Sequence, residues 1–248
     1  MESKAIVPPD VVEWVRTRLG FEPDAAQTIV LRSEAKRGIL NCTRQWGKST
    51  VGAAKAVHRA VSRAGSLVLV ASPTERQSAE LLRKAKGMLR KLCIRPRGDG
   101  SSAASLLLPN GSRIVALPGT EGTVRGFSAV SLLLIDEASR VDDDLYLALR
   151  PMLAVGQGDL WLMSTPFGKQ GFFHDTWEHG GEEWFRMSIP ATECARIPRD
   201  FLEQERKTMG ATWFEQEYLC AFVDNGATMF GRDLVEAALD DSVEPLRF

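Results

Sequence analysis

The stretch Cys42-Thr43-Arg44-Gln45-Trp46-Gly47-Lys48-Ser49-Thr50 carries residue types suited to gripping phosphate. It follows a short apolar run and precedes a helical pattern. At a helix start, free backbone N–H groups and the helix dipole both favour an anion. The residues Thr43 to Thr50 would wrap the phosphates, Lys48 would reach the β- and γ-phosphates, and the Ser49 hydroxyl would ligate Mg²⁺. Taken alone, Gly-Lys-Ser is a short pattern, and Cys42 stands where a first glycine is usual. Ser49 acting as a plain helix N-cap would explain it equally.

A second signal is Leu132-Leu133-Leu134-Ile135-Asp136-Glu137, an apolar strand tipped by two carboxylates. Asp136 would hold Mg²⁺ beside the Ser49 oxygen. Glu137 would orient and deprotonate the water that attacks the γ-phosphate. Acidic helix-capping residues after a strand are the bland alternative. Together, in this order, the two signals predict nucleotide hydrolysis with ATP and Mg²⁺.

The elements that must position these groups alternate strand and helix, which predicts an α/β fold with a largely parallel sheet. Pro23 and Asp24 open a helix through Lys36, with Ala25, Ile29, Val30 and Leu31 able to face inward. Arg37–Cys42 reads as a strand and Lys48–Arg63 as a helix. Ser66–Ala71 is a buried strand, followed by a long helix to about Leu92. Pro109-Asn110-Gly111 divides Ser105–Leu117 into a β-hairpin, since Asn and Gly tolerate positive φ. Ser131–Asp136 and Gly158–Ser164 are further strands, and Asp142 caps a helix reaching Leu153. Beyond about Ile189 the pattern becomes two helices, Arg199–Met209 and Thr212–Tyr218. The expected division is a core over 1–190, a small helical lid over 191–225 and a linker over 226–248.

Composition narrows the classes further. The 248 residues are 44% hydrophobic and 25% charged, which excludes a disordered or fibrous chain. Lys plus Arg number 31 against 32 Asp plus Glu, so any contact with nucleic acid must be a local patch. The stretch Arg83, Lys84, Lys86, Arg90, Lys91, Arg95 and Arg97 is one candidate, although a solvated helix face accounts for it better. Cys42, Cys93, Cys194 and Cys220 form no CxxC pair and are expected to be reduced thiols. The apolar runs are too short to cross a bilayer and the N-terminus has no signal-peptide core, so a soluble intracellular protein is expected.

These residues resemble the ATPase domain of the large terminase subunit of tailed bacteriophages, whose phosphate loop often lacks the first glycine and carries Arg-Gln before Gly-Lys-Ser, as Arg44 and Gln45 do here. Phe21-Glu22-Pro23-Asp24 with Gln27 is similar to that family's adenine-recognition segment. Thr123 to Ser128 precedes the acidic strand as in the family. Ser164-Thr165-Pro166 with Gly168 and Gly171-Phe172-Phe173 resembles its coupling motif, and Phe214 to Phe222 resembles the end of its lid. The resemblance spans roughly residues 20–225. It implies a P-loop fold of the RecA-like ASCE class and ATP-driven movement of double-stranded DNA into a procapsid. The implied assembly is a homomeric ring, a pentamer on the portal, with the portal protein and the small terminase subunit as partners. The implied location is the host cell cytoplasm, with no membrane partner. Full-length members continue into a nuclease; a chain ending at Phe248 is expected to lack nuclease activity, and 226–248 looks like the start of the connection to that domain.

Individual roles stay open at this point. The resemblance implies that Gln27 pairs with the adenine edge and that Phe21 packs on the base; a solvated helix residue and plain core packing are the alternatives. Arg44 and Arg125 compete as the charge stabiliser at the γ-phosphate. Arg44 would act within its own subunit or merely anchor a carboxylate such as Glu137. Arg125 would reach a neighbour's nucleotide, or be an ordinary loop arginine. Thr165 would sense the γ-phosphate and pass movement to the lid, or simply end a strand. Asp142–Asp144 are better explained by capping than by metal. The rival functions are a helicase-like nucleic-acid ATPase, a nucleotide-binding switch and a small-molecule P-loop kinase.

Overall fold

The computed structural model describes residues 10–98, 100, 104–117, 119, 126–224 and 238. Arg125 and the expected linker 226–248, save Ala238, lie outside the described residues.

The described elements run α1 (Val11–Trp14, widening into a π-helical turn Val15–Leu19), α2 (Ala25–Arg32), β1 (Arg37–Cys42), α3 (Lys48–Ser62), β2 (Leu67–Ala71) and α4 (Glu75–Lys91). Next come β3 (Ser105–Leu107), β4 (Arg113–Ala116), β5 (Leu132–Asp136), α5 (Asp143–Leu149), β6 (Asp159–Ser164) and α6 (Gly171–His179). The chain continues with β7 (Trp184–Ile189), α7 (Arg199–Met209) and α8 (Ala211–Leu219). The strands form one sheet in the order β3-β4-β2-β5-β6-β1-β7. Every pairing is parallel except β3 with β4. This mixed α/β architecture, a mostly parallel sheet flanked by helices, is the fold class expected.

The sheet explains why its strands read as unbroken apolar runs, because both faces are covered. Side chains alternate between two cores, as the period of two requires. Leu40, Val68, Val70, Leu132, Leu134, Trp161 and Met163 join the core that α1 to α4 cover. Ile39, Leu69, Leu133, Ile135, Leu160 and Leu162 face the other core, closed by α5 and α6. Since β6 lies between β1 and β5, their C-terminal ends are neighbours, and open parallel sheets bind ligands there.

Several boundaries differ from expectation. α2 stops at Arg32 rather than Lys36, with Ser33 already extended. The Ser33 hydroxyl accepts from Ala35 N, a local bond that competes with the helix, and the half-buried Lys55 ammonium takes the freed carbonyls of Val30 and Ser33. Gln27, Val30 and Leu31 form the buried face of α2, while Ala25 is exposed and Ile29 is 51% exposed. The Asn110-Gly111 turn does build a hairpin, and Gly111 takes the left-handed backbone. Asp142 occupies the N-cap of α5 without a side-chain bond. Asp143 instead accepts from Phe172 N at 2.9 Å, tying α5 to α6. Past Leu149 the helix tightens into a 3₁₀ turn at Arg150–Leu153, where Pro151 supplies no N–H. No periodic signal in the sequence announces α1, α6 or β7; β7 adds a parallel edge strand beside β1. Among the described residues, no helix is long and apolar enough to cross a membrane.

Gly38 of β1 lies against the Trp161 ring, and a methyl group there would overlap it. Trp161 is 1% exposed and carries the Lys55 ammonium 4.0 Å from its ring centroid, so it has little room to yield. Gly38→Ala is expected to cost about 1–3 kcal/mol, lowering the thermal midpoint by roughly 2–10 °C. An unchanged melt would show that the ring moves aside freely.

Candidate active site

Chemistry collects where β1, β6 and β5 end. β1 leads into the loop 43–47, which α3 then continues. Gly47 adopts φ 101° and Gln45 φ 63°, so the loop turns through left-handed backbone at both positions. A side chain at Gly47 would also crowd the Gln27 amide, 3.1 Å away. Cys42 fills the first position as a fully buried small side chain. Burial pushes its thiol far above the ordinary range and keeps it neutral.

The loop is held from outside. Gln27 Nε2 donates to the Trp46 carbonyl at 2.9 Å, and Arg196 Nη2 donates to the same oxygen at 2.6 Å. Thr43 N donates to Ile189 O at 2.9 Å, and Thr43 Oγ1 to Glu217 O at 3.2 Å. Gln27 is 0% exposed, and its Oε1 accepts from Asp24 N, completing a reciprocal cap on α2. Its amide is therefore engaged inside the protein, as a support of the loop. Phe21 is half-buried and packs against the core.

Behind the loop the acidic pair closes in. Ser49 Oγ donates to Asp136 Oδ2 at 2.9 Å. Asp136 is buried, and burial followed by the neighbouring Glu137 charge raises its pKa, against the Ser49 and Lys48 contributions. A buried carboxylate beside a hydroxyl is an oxygen donor set short of countercharge, which suits a hard divalent cation such as Mg²⁺. Lys48 Nζ stands 3.6 Å from Glu137 Oε1. Glu137 itself sits at φ 52°, ψ 43°, an uncommon backbone for a non-glycine residue and one met at functional turns.

Arg140 carries no recognisable motif of its own in the sequence. Its Nη1 donates to Thr165 Oγ1 at 3.0 Å and lies 3.7 Å from Glu137 Oε2, while Nη2 reaches Glu217 Oε1 at 3.0 Å. Glu217, on α8, is 3% exposed. Its other oxygen accepts from Arg44 Nε at 2.6 Å. Arg44 thus anchors a carboxylate, but that of Glu217 rather than Glu137. Thr165 is buried next to Arg140, and its carbonyl accepts from Ser139 Oγ at 2.7 Å. The available signal was the spacing Glu137-x-x-Arg140, since a 3₁₀ turn brings i and i+3 together. Arg196 and Glu217 come from distant chain positions, and no local pattern marks them.

The basic stretch lies along α4 and just beyond it. Arg83 pairs with Glu80 at 2.6 Å and Lys91 donates to Leu19 O, while Lys86, Arg90, Arg95 and Arg97 are exposed. Among the described residues no group of three His, Cys, Asp or Glu forms a metal cluster.

Comparison with known proteins bears on the fold and the family. The chain matches the profile of the family described as "Terminase large subunit, T4likevirus-type, N-terminal" over residues 39–237. The large terminase subunit of Thermus virus P23-45 is 25% identical over 255 residues, covering 88% of this chain and 52% of that protein. This chain thus spans about half the length of that curated relative. The ATPase domain of the Thermus phage P74-26 large terminase superposes with a TM-score of 0.76 at 20% identity, covering 85% of this chain and 98% of that one. The large terminase of another thermophilic bacteriophage, solved in complex with ADP, gives a TM-score of 0.66 at 14% identity, covering 86% and 52%. These likenesses do not favour the helicase-like alternative. With most of its length inside the profile, the chain belongs to the large terminase subunit family of T4-like-virus type and carries its N-terminal region.

Proposed function

We propose that this chain binds ATP with Mg²⁺ and hydrolyses it to drive double-stranded DNA into a procapsid. The observation that carries the reading is the Ser49–Asp136 bond at 2.9 Å beneath a glycine-turned loop that places Lys48 beside Glu137. The thermophilic phage terminase holding ADP on a similar fold supports it. The backbone N–H groups from Thr43 to Thr50 wrap the phosphates, and Lys48 draws charge from the β- and γ-oxygens. Ser49 and Asp136 are the residues that would hold Mg²⁺, which when bound neutralises charge on the phosphate oxygens. Glu137 orients the attacking water and accepts its proton. Arg125 stabilises the γ-phosphate of a neighbouring subunit, which calls for a homomeric ring. Thr165 reads the phosphate end of the site, and the helices of 191–225 act as a lid over the 1–190 core. The portal protein and the small terminase subunit are the proposed partners, in the host cell cytoplasm.

Lys48→Ala is expected to abolish both Mg·ATP binding and turnover. Glu137→Gln should retain binding within a few-fold in calorimetry while phosphate release slows on the order of 100-fold or more. Full turnover by Glu137→Gln would remove the chemical assignment.

Gln27→Ala separates loop support from base recognition. Loss of a buried hydrogen bond should cost about 1–3 kcal/mol of stability. As a loop support, Gln27 should affect ATP and GTP binding by the same factor; a change confined to ATP would return it to the adenine edge. For the shared site, specific ATPase activity should rise with protein concentration in the wild type. It should stay low and flat in Arg125→Ala, whose ATP affinity is unchanged. Normal turnover of the assembled Arg125→Ala protein would defeat that part.

A further inference from the structure

Five charges form an alternating series that runs from Lys48, the first residue of α3, back to Arg44 in the phosphate loop. Lys48 faces Glu137 Oε1 at 3.6 Å, and Glu137 Oε2 faces Arg140 at 3.7 Å. Arg140 donates to Glu217 at 3.0 Å, and Glu217 accepts from Arg44 at 2.6 Å. Arg140 is the middle member, and it joins Glu137, the β6 end and α8 together. Three features place it there. Glu137 takes left-handed backbone, and the turn Ala138–Arg140 follows, with Arg140 N bonded to Glu137 O at 2.9 Å. The chain thereby folds Arg140 back over the carboxylate three residues before it. The Phe167 ring packs on the guanidinium at 4.8 Å and limits its rotation. A planar fork can serve Thr165 and Glu217 at once from separate nitrogens, which a lysine ammonium on a flexible stem does far less well.

We infer that Arg140 is a positioning residue for hydrolysis: it sets the Glu137 carboxylate for the attacking water and makes that setting depend on Thr165 and on Glu217 of the C-terminal helix pair. The inference rests on the ATPase reading above. It assigns Arg140 no contact with phosphate. Glu137 has one oxygen facing Lys48 and one facing Arg140, so removing the guanidinium frees the carboxylate to rotate towards Lys48. Glu217 then acts through Arg140, the cation that the two carboxylates share.

The test uses the full chain and the variants Arg140→Gln, Arg140→Lys, Glu217→Gln, Arg140→Gln with Glu217→Gln, and Glu137→Gln as reference. Steady-state ATP turnover is read with kcat and KM separated, and Mg·ADP affinity is measured by calorimetry. Arg140→Gln is expected to lower kcat on the order of 10- to 100-fold, with KM and ADP affinity within threefold of wild type. Arg140→Lys should recover only a small part of that loss. Glu217→Gln, near-isosteric and expected to fold, should lower kcat less than Arg140→Gln does. The double variant should be no slower than Arg140→Gln alone, the non-additivity of two residues acting in one line. A kcat of Arg140→Gln within threefold of wild type overturns the inference, as does full rescue by lysine. A double variant slowed by the product of the two single effects also overturns it. Should Arg140→Gln fail to fold, an unchanged kcat in folded Glu217→Gln overturns the link and a lowered kcat at constant ADP affinity supports it. If Glu137→Gln keeps wild-type turnover, the ATPase reading falls first; if Glu137→Gln is slowed on the order of 100-fold or more and Arg140→Gln keeps a kcat within threefold of wild type, this inference alone falls.

Discussion

Parallel pairing of β5, β6 and β1 is the constraint from which the rest of the site follows. Three strands running the same way must deliver their C-terminal residues to one edge of the sheet. Their interiors are buried on both faces and admit mainly apolar side chains, so polar groups accumulate where the strands end. Asp136 and Glu137, Ser164 and Thr165, and the loop after Cys42 all occupy that edge. The spacer strand β6 keeps the loop and the acidic pair one strand apart, which puts Thr165 between them.

The edge gathers more charge than it can leave unpaired at low dielectric. Each buried carboxylate has a partner: Asp136 has the Ser49 hydroxyl, and Glu217 has two arginines from separate segments. Buried pairs of this kind return little net stability against their desolvation, yet breaking one is costly. Their value lies in geometry, because each bond joins segments far apart in the chain. Arg44 to Glu217 spans 173 positions and Asn41 Nδ2 to Cys220 O spans 179. The C-terminal helices are thereby stitched to β1 and its loop rather than resting on the core by apolar contact alone.

Much of this was readable from the sequence because it is written locally. The strands leading to Cys42 and Asp136 are short apolar runs with polar ends, and the Gly-Lys-Ser step sits at a helix start. The unread parts depend on residues brought together by the fold. Gln27 looks like a surface residue of a short helix, and only the arrival of Trp46, 19 positions later, shows why it is buried. β7 is an edge strand of mixed burial, so neither a continuous apolar run nor a clean alternation announces it. α2 ends early through a serine bond and a lysine from another helix, neither visible as a stop signal in the α2 segment. Arg140 was the nearest miss, since its spacing from Glu137 was in view while the left-handed turn that gives the spacing meaning was not.

Cys42 shows what the start of the loop asks of a side chain. A glycine in that place is valued for backbone freedom, but the left-handed turns of this loop fall on Gln45 and Gly47 instead. Position 42 is paired strand, with its side chain in the same core as Leu40 and Val51. Position 42 therefore asks for volume rather than torsion: a compact apolar side chain fills the gap beneath the loop and leaves the turn beyond it in place.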